Sequence, residues 1–256
     1  MDNLKGKRAL VTGASSGIGQ AIAVKLGAEG VAVGVGGRDV ERVDQTCGLI
    51  NAAGGRAVPV VGDVSDAQQA ERVVTGTVDA LGGLDIVVNN AGVDANEWRD
   101  VADWSIESFD EIMAINTRGP FLVSKFSIPH LLAAGGGTML HISSVCAVTV
   151  WAGDCGYDIS KAALNMLSDH IAVVYASRGI VSNTLMPGVV RTALHEGVME
   201  GMNDGRAFER VLLSRHPIGR FGTVEEIAES AAFLCSGVAP FLTGANILID
   251  GAYSRV

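Results

Sequence analysis

Along the chain, short apolar runs alternate with longer stretches in which apolar residues recur every three or four positions. Seven short runs, at 9–12, 31–35, 57–61, 86–89, 138–142, 180–185 and 246–249, are almost continuously apolar. That is the character of parallel strands covered on both faces. The longer stretches predict helices over about 17–29, 40–53, 66–81, 106–134, 155–177 and 224–235. The alternating order predicts a single α/β domain over 1–256, a doubly wound parallel sheet with helices on both faces and ligands at the carboxyl ends of its strands. The segment 189–222 breaks the rhythm. It is longer than an ordinary connection, and such insertions are often lids over a substrate.

Composition narrows the class. The 256 residues hold 48% hydrophobic and 18% charged side chains, enough apolar material for a large core, with no internal repeat or linker. Abundant glycine (33) and scarce proline (6) suit many tight strand-to-helix turns. A net charge of −9 with no basic block argues against nucleic acid as a partner. Cys47, Cys146, Cys155 and Cys235 form no CxxC and no His cluster, so they read as small buried hydrophobes in a reducing compartment and no metal site is expected. The N-terminus lacks the apolar core of a secretory signal. Residues 131–153 carry no Asp, Glu, Lys or Arg, but GGG, His141 and Ser143-Ser144 fit a loop, a buried strand and a site better than a membrane span. The expectation is a cytoplasmic protein without membrane partners.

Candidate chemistry gathers at strand ends. Tyr157 and Lys161 lie four apart at the start of a predicted helix, on one face. A nearby ammonium favours the phenolate and so suits the tyrosine to general acid/base work near neutral pH. By itself the spacing is equally that of a helix with one tyrosine and one solvated lysine. TGASSGIG (12–19) follows a strand and opens a helix, where Gly13, Gly17 and Gly19 allow a tight turn and Ser15, Ser16 and Ile18 border a pyrophosphate on backbone N–H groups. The second strand ends Gly37-Arg38-Asp39. An arginine there can grip a 2′-phosphate, which favours NADP with NAD possible. Asp39 is either the acidic partner of a free 2′-hydroxyl or the N-cap of the helix beginning at Val40. Asp63 ends the third strand, placed to meet adenine, with Val64 giving backbone contacts; a turn or N-cap role is the alternative.

Asn90, Ala91 and Gly92 follow the fourth strand in NNAG, where paired asparagines can bind neighbouring backbone and the small residues leave room for a ribose. Ser144 ends the fifth strand, placed to bond a substrate oxygen, and no GxSxG elbow surrounds it. Pro187, Gly188, Val190 and Thr192 follow the sixth strand, with Thr192 placed to hold an amide-bearing ring.

Taken in order, TGASSGIG, NNAG, ISS, YxxxK, PGxxxT and the tail FLTGANILIDG resemble the short-chain dehydrogenase/reductase family, in its compact branch, over nearly the whole chain. The resemblance implies a Rossmann-like fold, hydride transfer between nicotinamide and a secondary alcohol or ketone, and a homotetramer. It implies that Asn116 holds a water linking Lys161 to solvent, and that Lys161 also binds the nicotinamide ribose. Pairing of 106–134 and of 155–177 with their copies, and a second contact at the tail strand, would build the tetramer. Two departures stand out. Family members often end DGG, whereas this chain reads DGAYSRV, and Trp151 and Cys155 fall where side chains commonly line the substrate pocket. With Trp98 and Trp104, the tryptophans suit an apolar or ring-shaped substrate, or ordinary packing.

The expected partner is a small-molecule alcohol or ketone. A 3-oxoacyl-acyl-carrier-protein reductase is the alternative, disfavoured by the acidic loop NNAGVDANEWRD and the negative charge. A nucleotide-binding regulator without catalysis is the remote alternative, since Tyr157 and Lys161 are both present.

Overall fold

A computed structural model describes residues 1–94, 97–200 and 204–256, with the backbone only at Val198 and Glu200. The strands are β1 (Arg8–Val11), β2 (Ala32–Gly37), β3 (Arg56–Val61), β4 (Ile86–Asn89), β5 (Gly137–Ile142), β6 (Ile180–Pro187) and β7 (Asn246–Ile249). They pair in the order β3-β2-β1-β4-β5-β6-β7, all parallel. The helices are α1 (Gly17–Ala28), α2 (Val40–Ala52), α3 (Ala67–Leu81), α4 (Ile106–Met113), α5 (Gly119–Ala133), α6 (Cys155–Tyr175), α7 (Ala193–Glu200), α8 (Gly205–Ser214) and α9 (Val224–Cys235).

Side-chain alternation along each strand feeds two cores. Ala9, Val11, Ile86, Val88, Leu140 and Ile142 join the core beneath α1, α2 and α9. Leu10, Val87 and Met139, one position out of step, join the core beneath α3, α5 and α6. With both faces covered, no strand needs a polar side, which is why these runs read as continuously apolar. The strand order reverses between β1 and β4, and there the carboxyl ends open a crevice.

The long segment expected to be one helix is α4 and α5 joined by a turn of π-helix, Ala114–Arg118. The charge-free stretch 131–153 is the end of α5, then β5 and a 3-10 turn. Among the described residues no helix is long and apolar enough to cross a membrane. The inserted segment folds as α7 and α8, with its base closed by a parallel bridge between Val190 and Gly222. Residues 201–203 of its Gly/Asn/Asp-rich stretch lie outside the described residues.

Candidate active site

One cleft of ≈ 790 Å³ runs along the carboxyl edge of the sheet. At one end the chain turns from β1 into α1 through Gly13 and Gly17, at φ +61° and +55°. A Cβ at Gly13 would come within 2.7 Å of Ala91 Cα, and one at Gly19 would strike the Asn90 amide. The turn is pinned to β4: Asn90 Nδ2 donates to the carbonyls of Thr12 and Gly13, both at 3.0 Å, and the Asn90 N–H to Thr12 Oγ1 at 3.1 Å. Ser16 is the N-cap of α1 but its side chain makes no capping bond, so the first amides of the helix face the cleft. A close-packed glycine turn beneath a helix N-terminus fits the pyrophosphate of a dinucleotide.

Beyond it lie Ser15, Ile18, Arg38, Asp63 and Val64. Asp39 caps α2, accepting from the Arg42 N–H, and pairs with Arg42 at 3.5 Å. It fills the cap role and also lines the cleft. Arg38 Nη1 stands 3.7 Å from Asp63 Oδ2, an ion pair across strand ends that spacing along the chain does not reveal. Asp63 Oδ1 accepts from the Ser65 N–H at 2.9 Å and hydroxyl at 2.7 Å. Burial pushes the Asp63 carboxyl up, but the Ser65 bonds and Arg38 outweigh it and leave it below its usual value. Asp66, not Asp63, caps α3. Arg42 lines the same corner as a second guanidinium; it lies in the first turn of α2, three after the Asp39 cap.

At the other end Ser144, Tyr157, Lys161, Ala91, Gly92, Pro187, Gly188, Val190 and Thr192 line the cleft. Ser144 starts a 3-10 turn and accepts from the Cys146 N–H at 3.1 Å. Lys161 donates to the Ile142 carbonyl at 3.1 Å, and the Ser143 hydroxyl donates to the Lys161 carbonyl, tying α6 to the end of β5. Asn116 sits in the π turn, fully buried, where its Oδ1 accepts from the Val93 N–H and its Nδ2 donates to the Val93 carbonyl and Ser160 Oγ. A side chain grafted on Gly92 would meet both Asn116 Oδ1 (3.3 Å) and Lys161 Nζ (3.4 Å), so the two flank one small space. The π turn is what aims Asn116 at that space, since a straight helix would rotate it away.

One expectation needs correction. Tyr157 is not held at a lowered pKa by Lys161. Burial drives the phenol well above its ordinary value, Cys146 and Asp94 add to this, and the Ser144 hydroxyl offsets part of it. Burial likewise lowers Lys161 to about 8. Desolvation outweighs a single cation standing 5.4 Å from the ring centre.

The tryptophans divide. Trp151 lines the cleft, with Trp98 at 5.9 Å, Phe208 at 6.2 Å and Tyr253 at 6.5 Å around it. Trp104 packs on Gly156, and its indole N–H donates to the Gly153 carbonyl at 2.9 Å, supporting the start of α6. Cys146 lines the cleft, whereas Cys155 is not among the lining residues. The residues that reading along the chain missed are Asp94, Asp154 and His195, all on the cleft wall. Asp154 stands at the N-cap of α6, three before Tyr157; Asp94 and His195 carry no such signal.

This is the architecture of a dinucleotide-binding α/β protein. A family profile described as enoyl-(acyl carrier protein) reductase matches residues 13–254. An uncharacterized oxidoreductase of Thermotoga maritima is 38% identical over 99% of this chain and 100% of its own. The 3beta-hydroxysteroid dehydrogenase 1 of Eggerthella lenta is 35% identical over 98% of this chain and 94% of its own. The crystal structure of a putative 2-deoxy-d-gluconate 3-dehydrogenase from Agrobacterium tumefaciens with bound NADP superposes with a TM-score of 0.89 at 33% identity, covering 99% and 98% of the two chains. The chain belongs to the short-chain dehydrogenase/reductase family of oxidoreductases.

Proposed function

We propose that the protein is an NADP-dependent dehydrogenase that interconverts a secondary alcohol and its ketone. The observation that carries this reading is the convergence of Ser144, Tyr157, Lys161 and Asn116 at one end of a cleft whose other end is a glycine turn under a helix N-terminus. Gly13, Ser15, Ser16, Gly17, Ile18 and Gly19 would hold the pyrophosphate, Arg38 the 2′-phosphate, Asp63 and Val64 the adenine end, and Asn90–Gly92, Lys161 and 187–192 the nicotinamide half. Nicotinamide supplies or accepts the hydride.

The protein's own residues handle the proton. Ser144 orients the substrate oxygen, and Tyr157 gives that oxygen a proton in reduction or takes it in oxidation. Lys161 favours the phenolate when charged, and Asn116 completes a path for the proton toward solvent. Burial keeps the phenol protonated, the state that a ketone substrate requires. Segment 189–222 is the proposed lid: Leu194 and His195 reach the cleft wall from α7. The fold class and the relatives' dehydrogenase names support the reaction type. A panel of ketones with NADPH and NADH, and of alcohols with NADP and NAD, tests the reading. No turnover with any pair would overturn it.

A further inference from the structure

The dehydrogenase reading gives no role to the carboxyls at the substrate end of the cleft. Asp154 and Asp94 line it, and Asp158 follows Asp154 by one helical turn. Asp154 is 1% exposed, and among the described residues no N–H or hydroxyl donates to either of its oxygens. It stands at the N-cap of α6 yet its side chain makes no capping bond; the Tyr157 N–H lies close enough to favour its charged form and the Asp94 carboxyl close enough to favour its protonated one. Burial disfavours its charge, and Asp94 and Asp158 add like-charge repulsion, which together push its carboxyl up to about 8. Asp158 is pushed up to about 6, burial first and Asp94 adding, although the Trp151 N–H donates to it at 3.0 Å. A buried carboxyl with no donor is costly until something meets it.

The wall beside these carboxyls is Trp151, backed by Trp98, Phe208 and Tyr253. Aromatic faces attract cations, tryptophan most strongly. Among the described residues no group of His, Cys, Asp or Glu is set to hold a metal ion, so the cation that suits the pocket is organic. We propose that the substrate carries an ammonium group that docks on Asp154 and Asp94 against Trp151, which makes it an amino alcohol or the matching amino ketone. This rests on the dehydrogenase reading above. Asp154 at the N-cap of α6 and Tyr157 in its first turn line the same cleft, so the ammonium sits a few bonds from the carbinol carbon. A neutral diol would give Asp154 a donor but would not favour the charged form of either carboxyl; an ammonium does both.

The test uses three alcohols on one ring: trans-2-aminocyclohexanol, its methyl analogue trans-2-methylcyclohexanol, and the corresponding trans diol. Each is oxidised with NADP and NAD near neutral pH, where the amine is charged, by the wild type and by Asp154→Asn. The amino alcohol should be preferred over the methyl analogue by about ten- to a hundredfold in kcat/KM, the range of a charge-assisted bond, and Asp154→Asn should erase most of that ratio. Preference for the methyl compound or the diol, or a ratio unchanged in the variant, overturns the proposal. A second readout is binding of cyclohexylamine against cyclohexanol by calorimetry. Amine binding that Asp154→Asn abolishes supports the site even if no alcohol is turned over, in which case only the dehydrogenase reading fails. Equal or absent binding of the amine overturns the site, whatever the turnover.

Discussion

Lys161 Nζ stands 5.4 Å from the centre of the Tyr157 ring, and both side chains are shifted by burial toward their neutral forms. Ketone reduction needs the phenol's proton, which is present throughout the neutral range. Alcohol oxidation needs the phenolate, which the raised pKa withholds until the pH climbs. The expected result is oxidation that rises with pH into the alkaline range while reduction stays flat or falls; pH profiles of kcat/KM in both directions check it. Tyr157→Phe should lower turnover by about 10²- to 10⁴-fold with cofactor binding kept. Lys161→Ala should damage both. Turnover near wild type in Tyr157→Phe would sink the assignment.

Cofactor choice should rest on Arg38. Its side chain is 63% exposed and only loosely paired with Asp63, so it can turn to a 2′-phosphate. Arg38→Ala should weaken NADP binding by about ten- to a hundredfold and hardly change NAD. Gly37→Asp is a poor converse, because a Cβ there would come within 2.8 Å of Val43 Cγ2. Dissociation constants for both cofactors decide the matter, and tighter NAD binding by the wild type would refute it.

The lid should reveal itself by hydrogen exchange. Among the described residues, Val189, Leu212 and Phe221, with Trp151, Met199 and Phe208 packed on them, form a small separate core under the segment. Such a small satellite core predicts low local stability. Amides of α7 and α8 should exchange much faster than those of β4 and β5 and slow when substrate and cofactor bind. Equal protection without ligand would rule out a lid.

Assembly is the next expectation. Phe121 on α5, Met166 and Val173 on α6 (Val173 85% exposed), and Phe241 just before β7 present large apolar side chains to solvent. These are the segments from which a two-fold pair of interfaces would be built. Light scattering should report a tetramer at micromolar protein. A monomer would contradict it.

Ala252 has φ +70°, the one non-glycine in the left-handed region among the described residues. It stands where relatives of the DGG type carry glycine. The conformation costs an L-residue about 1–2 kcal/mol, less what glycine loses in chain entropy. Ala252→Gly should therefore stabilise the fold by about 0.5–1 kcal/mol, read as a higher urea midpoint at unchanged slope. A lower midpoint would contradict the argument.

The sequence by itself determined the seven strands and six long helical segments to within two residues at their ends, because a sheet covered on both faces writes its strands as unbroken apolar runs. The glycine turn, NNAG, Tyr157, Lys161 and the Asp39 cap were legible for a similar reason: each depends on neighbours close along the chain. Tertiary structure decided the rest. Asn116 needed the π turn, Arg38 met Asp63 across two strand ends, and Asp94 reached Asp154 over 60 positions of chain. Above all, the fold set the protonation of Tyr157. Spacing places an ammonium beside the phenol, but desolvation depends on everything packed around the pair, and here it is the larger effect.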